Sequence, residues 1–218
     1  MEEADAEFSE YPKPMASTHT TKMTVKSEDD FKKEKLVEAS ASAADGVITI
    51  KGGNVVITID EETACMSASK ADGTLLWKEA APLSFDGTQT VQSLETGENE
   101  YFYGGGQQNG YFSHKNRKIL IENKSTWVSG GVSSPNPFYM STNGYGAMRN
   151  TFQPGSYDFA STALLEHDED RFDSYYFAGD SLKDVLAGYV ELTGNPLLLP
   201  KYAFYQGTPT ATTETVNL

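Results

Sequence analysis

The sequence predicts a mainly β fold: an antiparallel β-sandwich followed by one C-terminal connector helix. Two observations predict the sandwich. From Gly46 onward, short apolar-rich segments with a period of two follow one another at close spacing, and Gly, Asn and Asp turns separate them. A third observation predicts the helix, because the apolar residues between Ser181 and Leu192 recur at the spacing of one helical face.

The first strands are predicted to form hairpins. VITI and VVITID flank a KGGN turn, and CMSASKADGTLLWKE repeats the scheme with Ala71, Asp72 and Gly73 as its turn and Leu75 to Trp77 as the returning strand. Further short strands are predicted at Pro82 to Phe85, Thr90 to Leu94, Tyr101 to Tyr103, Lys118 to Glu122, Phe138 to Ser141, Ala147 to Asn150 and Ser174 to Phe177. Asp180 or Ser181 is predicted to cap the helix, and Gly194 and Pro196 to end it.

Composition excludes several classes of function. The chain has 31 acidic and 17 basic residues and a net charge of −14, which disfavours nucleic acid as a partner. No apolar run approaches the roughly 20 residues that span a bilayer, so no membrane partner is predicted. Cys65 is the single cysteine, and the three histidines lack ligand spacing, so neither a disulfide, a metal nor a cofactor is predicted. The sequence does not decide between two cellular locations. The protein fits the cytoplasm and, as a mature secreted bacterial protein, the extracellular space equally well.

Five segments carry a resemblance to a known family. They are YGGGQQNGYFSHK (103–115), the loop from Trp127 to Pro137, PFYMSTNGYGAMRNT, YYFAGDSLKDVLAGYVELTGNP and LLLPKYAF. In this order and spacing they resemble glycoside hydrolase family 31. In that family an N-terminal, galactose mutarotase-like β-sandwich precedes a (β/α)8 barrel that cleaves α-linked sugars.

The resemblance implies a division of the chain. The parts are a polar, partly disordered lead-in (1–45), the sandwich (46–178), the connector helix with the first strand of a missing barrel (179–207) and an irregular tail (208–218). At 218 residues the chain is too short for a sandwich and a barrel of roughly 250 residues together. The tail TPTATTETVNL is explained equally by a frameshifted or ended reading frame and by a polar tail.

The resemblance also implies candidate site residues. It places the turn from Gly104 to His114 and the loop from Ser125 to Pro137 at one end of the sandwich, facing the barrel and shaping its sugar subsites. Trp127 offers a flat apolar face for a sugar ring, and Gln107, Asn109 and Asn136 offer neutral amides for sugar hydroxyls. From the residues alone, the amides are explained as turn formers, and Trp127 equally well as an indole packed in the sandwich or against the barrel. The acidic residue that many family members carry in this loop is missing here.

No residue of the chain is predicted to be catalytic. Retaining glycosidases need two carboxyl groups about 5 Å apart, and the resemblance implies that both lie on the barrel. The chain is therefore expected to be inactive alone, as the non-catalytic domain of an α-glycosidase that binds α-linked glycans weakly or only with the barrel. The alternative is a stand-alone carbohydrate-binding or structural sandwich, although the sequence indicates no paired aromatic platform. Self-association is expected through an apolar patch formed by Leu197, Leu198, Leu199, Tyr202 and Phe204.

Overall fold

The computed structural model describes residues 38–195 except Ser125 and Trp127. Within this part of the chain, thirteen strands and one helix form. The strands are β1 (Ala39–Ala44), β2 (Val47–Gly52), β3 (Val55–Asp60), β4 (Met66–Lys70), β5 (Leu75–Phe85), β6 (Thr90–Glu95), β7 (Phe102–Gln108), β8 (Lys118–Ile121), β9 (Val132–Ser141), β10 (Tyr145–Arg149), β11 (Gly155–Phe159), β12 (Thr162–His167) and β13 (Ser174–Ala178). The helix, α1, is Leu182–Thr193.

The strands form two antiparallel sheets. The large sheet has nine strands in the order β1-β2-β3-β4-β5-β6-β12-β11-β8, and the small sheet has four in the order β13-β10-β9-β7. The predicted fold class, a mainly β antiparallel sandwich with a C-terminal helix, is confirmed.

The hairpins are those that the turn residues predict. β2 pairs with β3 from Val47↔Asp60 to Gly52↔Val55, and β4 pairs with β5 across the turn that contains Gly73. The first strand among the described residues, β1, starts at Ala39, within the segment for which the sequence predicts a lead-in. All six residues of β1 are exposed, and its ASASAA sequence lacks the alternation of large apolar residues that would mark a strand.

The core lies between the two sheets. Aromatic side chains meet there across the interface: Phe102 stacks on Phe159 at 4.3 Å between ring centroids, and Trp77 lies 4.7 Å from Tyr176. Tyr139, in the small sheet, is 1% exposed and contacts Tyr157, in the large sheet, edge to face. Such packing of inward-facing side chains is what holds a sandwich together.

The outer face of the small sheet carries the helix. Because side chains alternate along a strand, Phe138 and Met148 point away from Tyr139 and Ala147 and form a second buried cluster with Val185 of α1. Tyr189 of the helix stacks on Phe138 at 4.0 Å. The sheet thus has a core on one face and the helix on the other.

The helix begins and ends where the sequence predicts. Ser181 is the N-cap, and its hydroxyl accepts a hydrogen bond from the Asp184 N–H, while Gly194 is the C-cap with φ +94°. The predicted strand from Tyr202 and the tail 208–218 lie outside the described residues, as does the lead-in up to residue 37.

Candidate functional site

The structure brings together the two segments that the sequence singles out for a site. The end of β7 pairs with the start of β9, with Gln107 opposite Ser134 and Gln108 opposite Val132. Backbone hydrogen bonds of 2.8 Å continue the pairing beyond the strands, from Asn109 N–H to the Gly131 carbonyl and from Gly130 N–H to the Asn109 carbonyl. We call residues 104–109 and 130–136 the β7–β9 ribbon.

The three consecutive glycines lie inside β7 and not in a turn, which corrects the interpretation of Gly104–Gly106 as turn residues. All three have positive φ, and the β7–β9 register is irregular between Gly104 and Gly106. A Cβ on Gly106 would lie 2.0 Å from the Ser134 carbonyl oxygen. The glycines are therefore needed where the two backbones of the ribbon approach each other closely.

The predicted sugar-contacting amides have different surroundings. Gln107 is exposed on the ribbon. Asn109 Nδ2 donates to the Thr126 carbonyl (2.6 Å) and to Ser133 Oγ (3.2 Å), and Asn136 Nδ2 donates to Tyr189 Oη of the helix (3.1 Å). Both asparagine amides thus hold structural elements together. Trp127 lies outside the described residues, and a sugar contact by any of the four stays a prediction.

A cleft of about 460 Å³ lies beside the ribbon, on the outer face of the small sheet next to the start of α1. Its walls come from β7, from the turn that follows, from Met140 of β9 and from Leu182 of the helix. The aromatic lining consists of Tyr103, Tyr111 and Phe112. Phe112 is 90% exposed and meets Tyr103 edge to face at 5.6 Å.

His114 also lines this cleft and is 3% exposed. Its Nε2 lies 2.9 Å from the Gly104 carbonyl oxygen, an acceptor, so Nε2 carries the proton. Its Nδ1 is buried and has no hydrogen-bond partner among the described residues. Burial lowers the pKa of His114 below its ordinary value, against the opposing effect of the Gly104 hydrogen bond, and the imidazole is neutral at pH 7.

The sequence points to the turn from Gly104 to His114, which supplies much of the lining, but not to the aromatic side chains or the histidine of this cleft. The sequence indicates no paired aromatic platform, yet the structure gathers three aromatic rings around one opening. A signal was present in the adjacent Tyr111 and Phe112, two large aromatic residues directly after Gly110 in an otherwise polar turn. His114 carried no signal, because its role depends on the carbonyl of a residue ten positions earlier.

A second cleft, of about 530 Å³, lies between β8, β9 and the residues 151–154. Its lining includes three prolines and Phe152, which is 52% exposed. It is larger than the cleft at His114, but none of its described lining residues has a buried polar side-chain atom without a partner. We therefore regard the cleft at His114 as the better candidate site.

Over the described part of the chain, no group of three or more His, Cys, Asp or Glu side chains could hold a metal ion. In the same residues no helix has the length and apolar content needed to cross a bilayer.

Comparisons with known proteins agree with this architecture. The family model of the glycosyl hydrolase 31 N-terminal galactose mutarotase-like domain matches residues 5–158. A curated α-xylosidase from Saccharolobus solfataricus is 30% identical over 180 residues, which cover 72% of this chain and 25% of that protein.

Two solved structures show the same fold. A Flavobacterium johnsoniae GH31 dextranase, complexed with glucose, superposes with a TM-score of 0.69 at 18% identity, over 76% of this chain and 22% of that one. A GH31 α-xylosidase from a soil metagenome, complexed with xylose, gives 0.66 at 20% identity, over 76% and 28%.

The protein is thus a two-sheet antiparallel sandwich, a fold that it shares with part of these longer GH31 proteins. The chain belongs to glycoside hydrolase family 31 and contains that family's N-terminal galactose mutarotase-like domain. It spans about a quarter of the length of the α-xylosidase that it matches.

Proposed function

We propose that this chain acts as the non-catalytic N-terminal domain of a family 31 α-glycosidase, where it helps to bind an α-linked glycan and to shape the active site of a catalytic barrel. Membership of the family supports the parentage. The S. solfataricus relative is an α-xylosidase, which supports an enzyme that hydrolyses O-glycosyl bonds.

The observation that carries the proposal is the link between the helix and the β7–β9 ribbon. Asn136 of the ribbon donates a hydrogen bond to Tyr189 of α1, four residues before the helix ends at Thr193. At 1.5 Å per residue, the helix end lies only about 6 Å further along the axis. A domain that follows the helix would therefore begin beside the ribbon, where exposed Gln107 is available to it.

The test uses the catalytic barrel of the S. solfataricus α-xylosidase, expressed alone and joined to residues 1–195 of this chain. We expect no release of product from aryl α-glycosides by the chain alone, and higher kcat/KM for the joined protein than for the barrel alone. Gln107→Ala in the joined protein should raise KM, whereas Gln89→Ala, in the turn between β5 and β6 of the large sheet, is the control. Equal activity of the barrel with and without the chain would contradict the proposal.

A further inference from the structure

The cleft at His114 is uncharged in a strongly acidic chain. Its described lining contains aromatic, aliphatic, glycine, amide and neutral imidazole groups but no carboxylate, lysine or arginine side chain. The chain as a whole has a net charge of −14. A cleft whose lining carries no charged side chain favours a neutral ligand over an ionic one, and the nearby guanidinium of Arg117 is already placed against the Tyr111 ring.

The aromatic side chains of the cleft are held in place although they face solvent. Phe112 packs by its edge against Tyr103, and the guanidinium of Arg117 lies 3.5 Å from the centroid of the Tyr111 ring. Arg117 therefore covers one face of Tyr111, while Phe112 stays 90% exposed. An exposed phenylalanine fixed at the rim of a cleft offers a flat apolar platform to a ligand.

His114, which lines the cleft, also has a buried acceptor atom that lacks a donor among the described residues. Buried polar atoms are nearly always hydrogen-bonded, because an unpaired one destabilises the fold. His114 Nδ1 is such an atom among the described residues, and its Nε2–H is fixed on the Gly104 carbonyl. The lone pair of Nδ1 is therefore suited to accept a hydrogen bond from a hydroxyl group of a ligand.

We propose that this cleft is a carbohydrate subsite of the sandwich itself, which binds one sugar ring against Phe112 and Tyr111 and accepts a hydroxyl hydrogen bond at His114 Nδ1. A pyranose combines an apolar C–H face with hydroxyl donors, which matches the platform and the acceptor. The volume of about 460 Å³ lies within the usual range of small-molecule sites, about 300–1,000 Å³. The inference rests on the proposed function only for the class of ligand, and it requires no catalytic barrel.

The test is a titration of the full chain, ¹⁵N-labelled, with isomaltotriose and with xylose, followed by NMR. We expect saturable shifts of the Gly104, Gly106 and Leu182 amides and of the His114 Nδ1 resonance, with a dissociation constant in the millimolar range. Phe112→Ala should weaken binding about tenfold. Because Phe112 is 90% exposed, this variant is expected to fold normally.

The matched control is Phe152→Ala, which removes an exposed phenylalanine outside the cleft and should leave the titration unchanged. No saturable shift with either sugar, or equal effects of the two variants, would overturn the subsite. Shifts with an apolar dye but with neither sugar would also overturn it, because they would indicate a protein-docking face. Failure here leaves the barrel experiment unaffected, since that experiment measures hydrolysis and varies Gln107.

Discussion

Buried polar side chains lie between the sheets and make their hydrogen bonds to distant parts of the chain. Glu79 is 2% exposed and accepts hydrogen bonds from Gln92 Nε2 and from the Met66 N–H, both at 2.8 Å. Burial raises the pKa of its carboxyl group, against these hydrogen bonds. His167 is fully buried, with Nε2 2.9 Å from Tyr157 Oη and Nδ1 3.2 Å from the Gln153 carbonyl oxygen.

His167 is expected to make the fold sensitive to acid. Burial, assisted by the charge of Arg149, lowers the pKa of His167 to about 4 from an ordinary value near 6.5. Between these values the unfolded chain binds a proton that the folded chain does not, so the free energy of unfolding falls as the pH falls. The loss is about 3 kcal/mol between pH 7 and pH 4.

Urea unfolding at several pH values measures this effect, with His167→Gln as the comparison. The variant is expected to lose less stability over the same range, although it is less stable at pH 7. Subtraction of the two pH profiles removes the opposing contribution of Glu79, which both proteins share. Parallel profiles would show that His167 does not titrate in this range.

Gly106 is expected to be intolerant of substitution. Its φ is +78°, and a Cβ there would meet the Ser134 carbonyl oxygen at 2.0 Å. Gly106→Ala should lower the free energy of unfolding by about 2–4 kcal/mol. Gly73→Ala is the matched control, because Gly73 also has a positive φ (+91°) but no neighbour within 4 Å of a Cβ.

Urea denaturation of both variants measures their free energies of unfolding. The difference separates the loss caused by the steric clash at Gly106 from the loss caused by backbone strain. Gly73→Ala should cost about 1 kcal/mol from strain alone. Equal losses for the two glycines would contradict the close approach of the ribbon strands.

At the scale of elements, α1 is attached to the small sheet through the side chains of Val185 and Tyr189. Val185 is fully buried against the outer face of the small sheet, and a Cβ on Gly146 of β10 would lie 2.6 Å from Val185 Cγ1. The absent side chain at Gly146 therefore lets the helix approach the strand. The stack of Tyr189 on Phe138 and the hydrogen bond of Tyr189 to Asn136 complete the attachment.

Truncation of Val185 is expected to loosen the helix. Val185→Ala removes two buried methyl groups and should lower the free energy of unfolding by about 2 kcal/mol. Leu186→Ala, one residue later and 43% exposed, should change it by less than about 0.5 kcal/mol. Hydrogen exchange of the α1 amides measures the local effect, and equal protection in the two variants would contradict the predicted role of Val185.

At the scale of the whole molecule, the chain matches only about a quarter of the length of its α-xylosidase relative. The segment 197–204 contains Leu197, Leu198, Leu199, Tyr202 and Phe204, five large apolar side chains in eight residues. This composition predicts self-association, since apolar patches above a few hundred Å² usually mark interaction sites. The net charge of −14 opposes association without abolishing it.

Sedimentation velocity over a range of protein concentrations tests this prediction. The sedimentation coefficient is expected to rise with concentration for the full chain and to stay constant after truncation following Pro196. Removal of residues 208–218 alone, which are mostly polar, serves as the control and should leave the association intact. A monomer at every concentration of the full chain would show that the apolar segment makes no contact between molecules.

Local patterns predicted much of the fold because they need only neighbouring residues. The β2–β3 hairpin follows from its KGGN turn, and α1 follows from Ser181, its apolar face and Gly194. β11 and β12 were not predicted, because no Gly, Asn or Pro marks the turn between Phe159 and Thr162. Gly104–Gly106 fit both a turn and a close approach of two strands, since glycines needed for either have the same sequence signature, and only the structure shows that they lie within β7.

The sequence by itself determined the fold class, the hairpins, the helix boundaries and the family. Only the tertiary structure decided which polar and aromatic groups are free to act. The amides of Asn109 and Asn136 are bonded to distant partners, whereas Phe112 is exposed and His114 Nδ1 has no partner among the described residues. Secondary structure follows from periodicity and turn chemistry over a few residues. Whether a polar side chain has a hydrogen-bond partner depends on groups that only the fold brings within hydrogen-bonding distance.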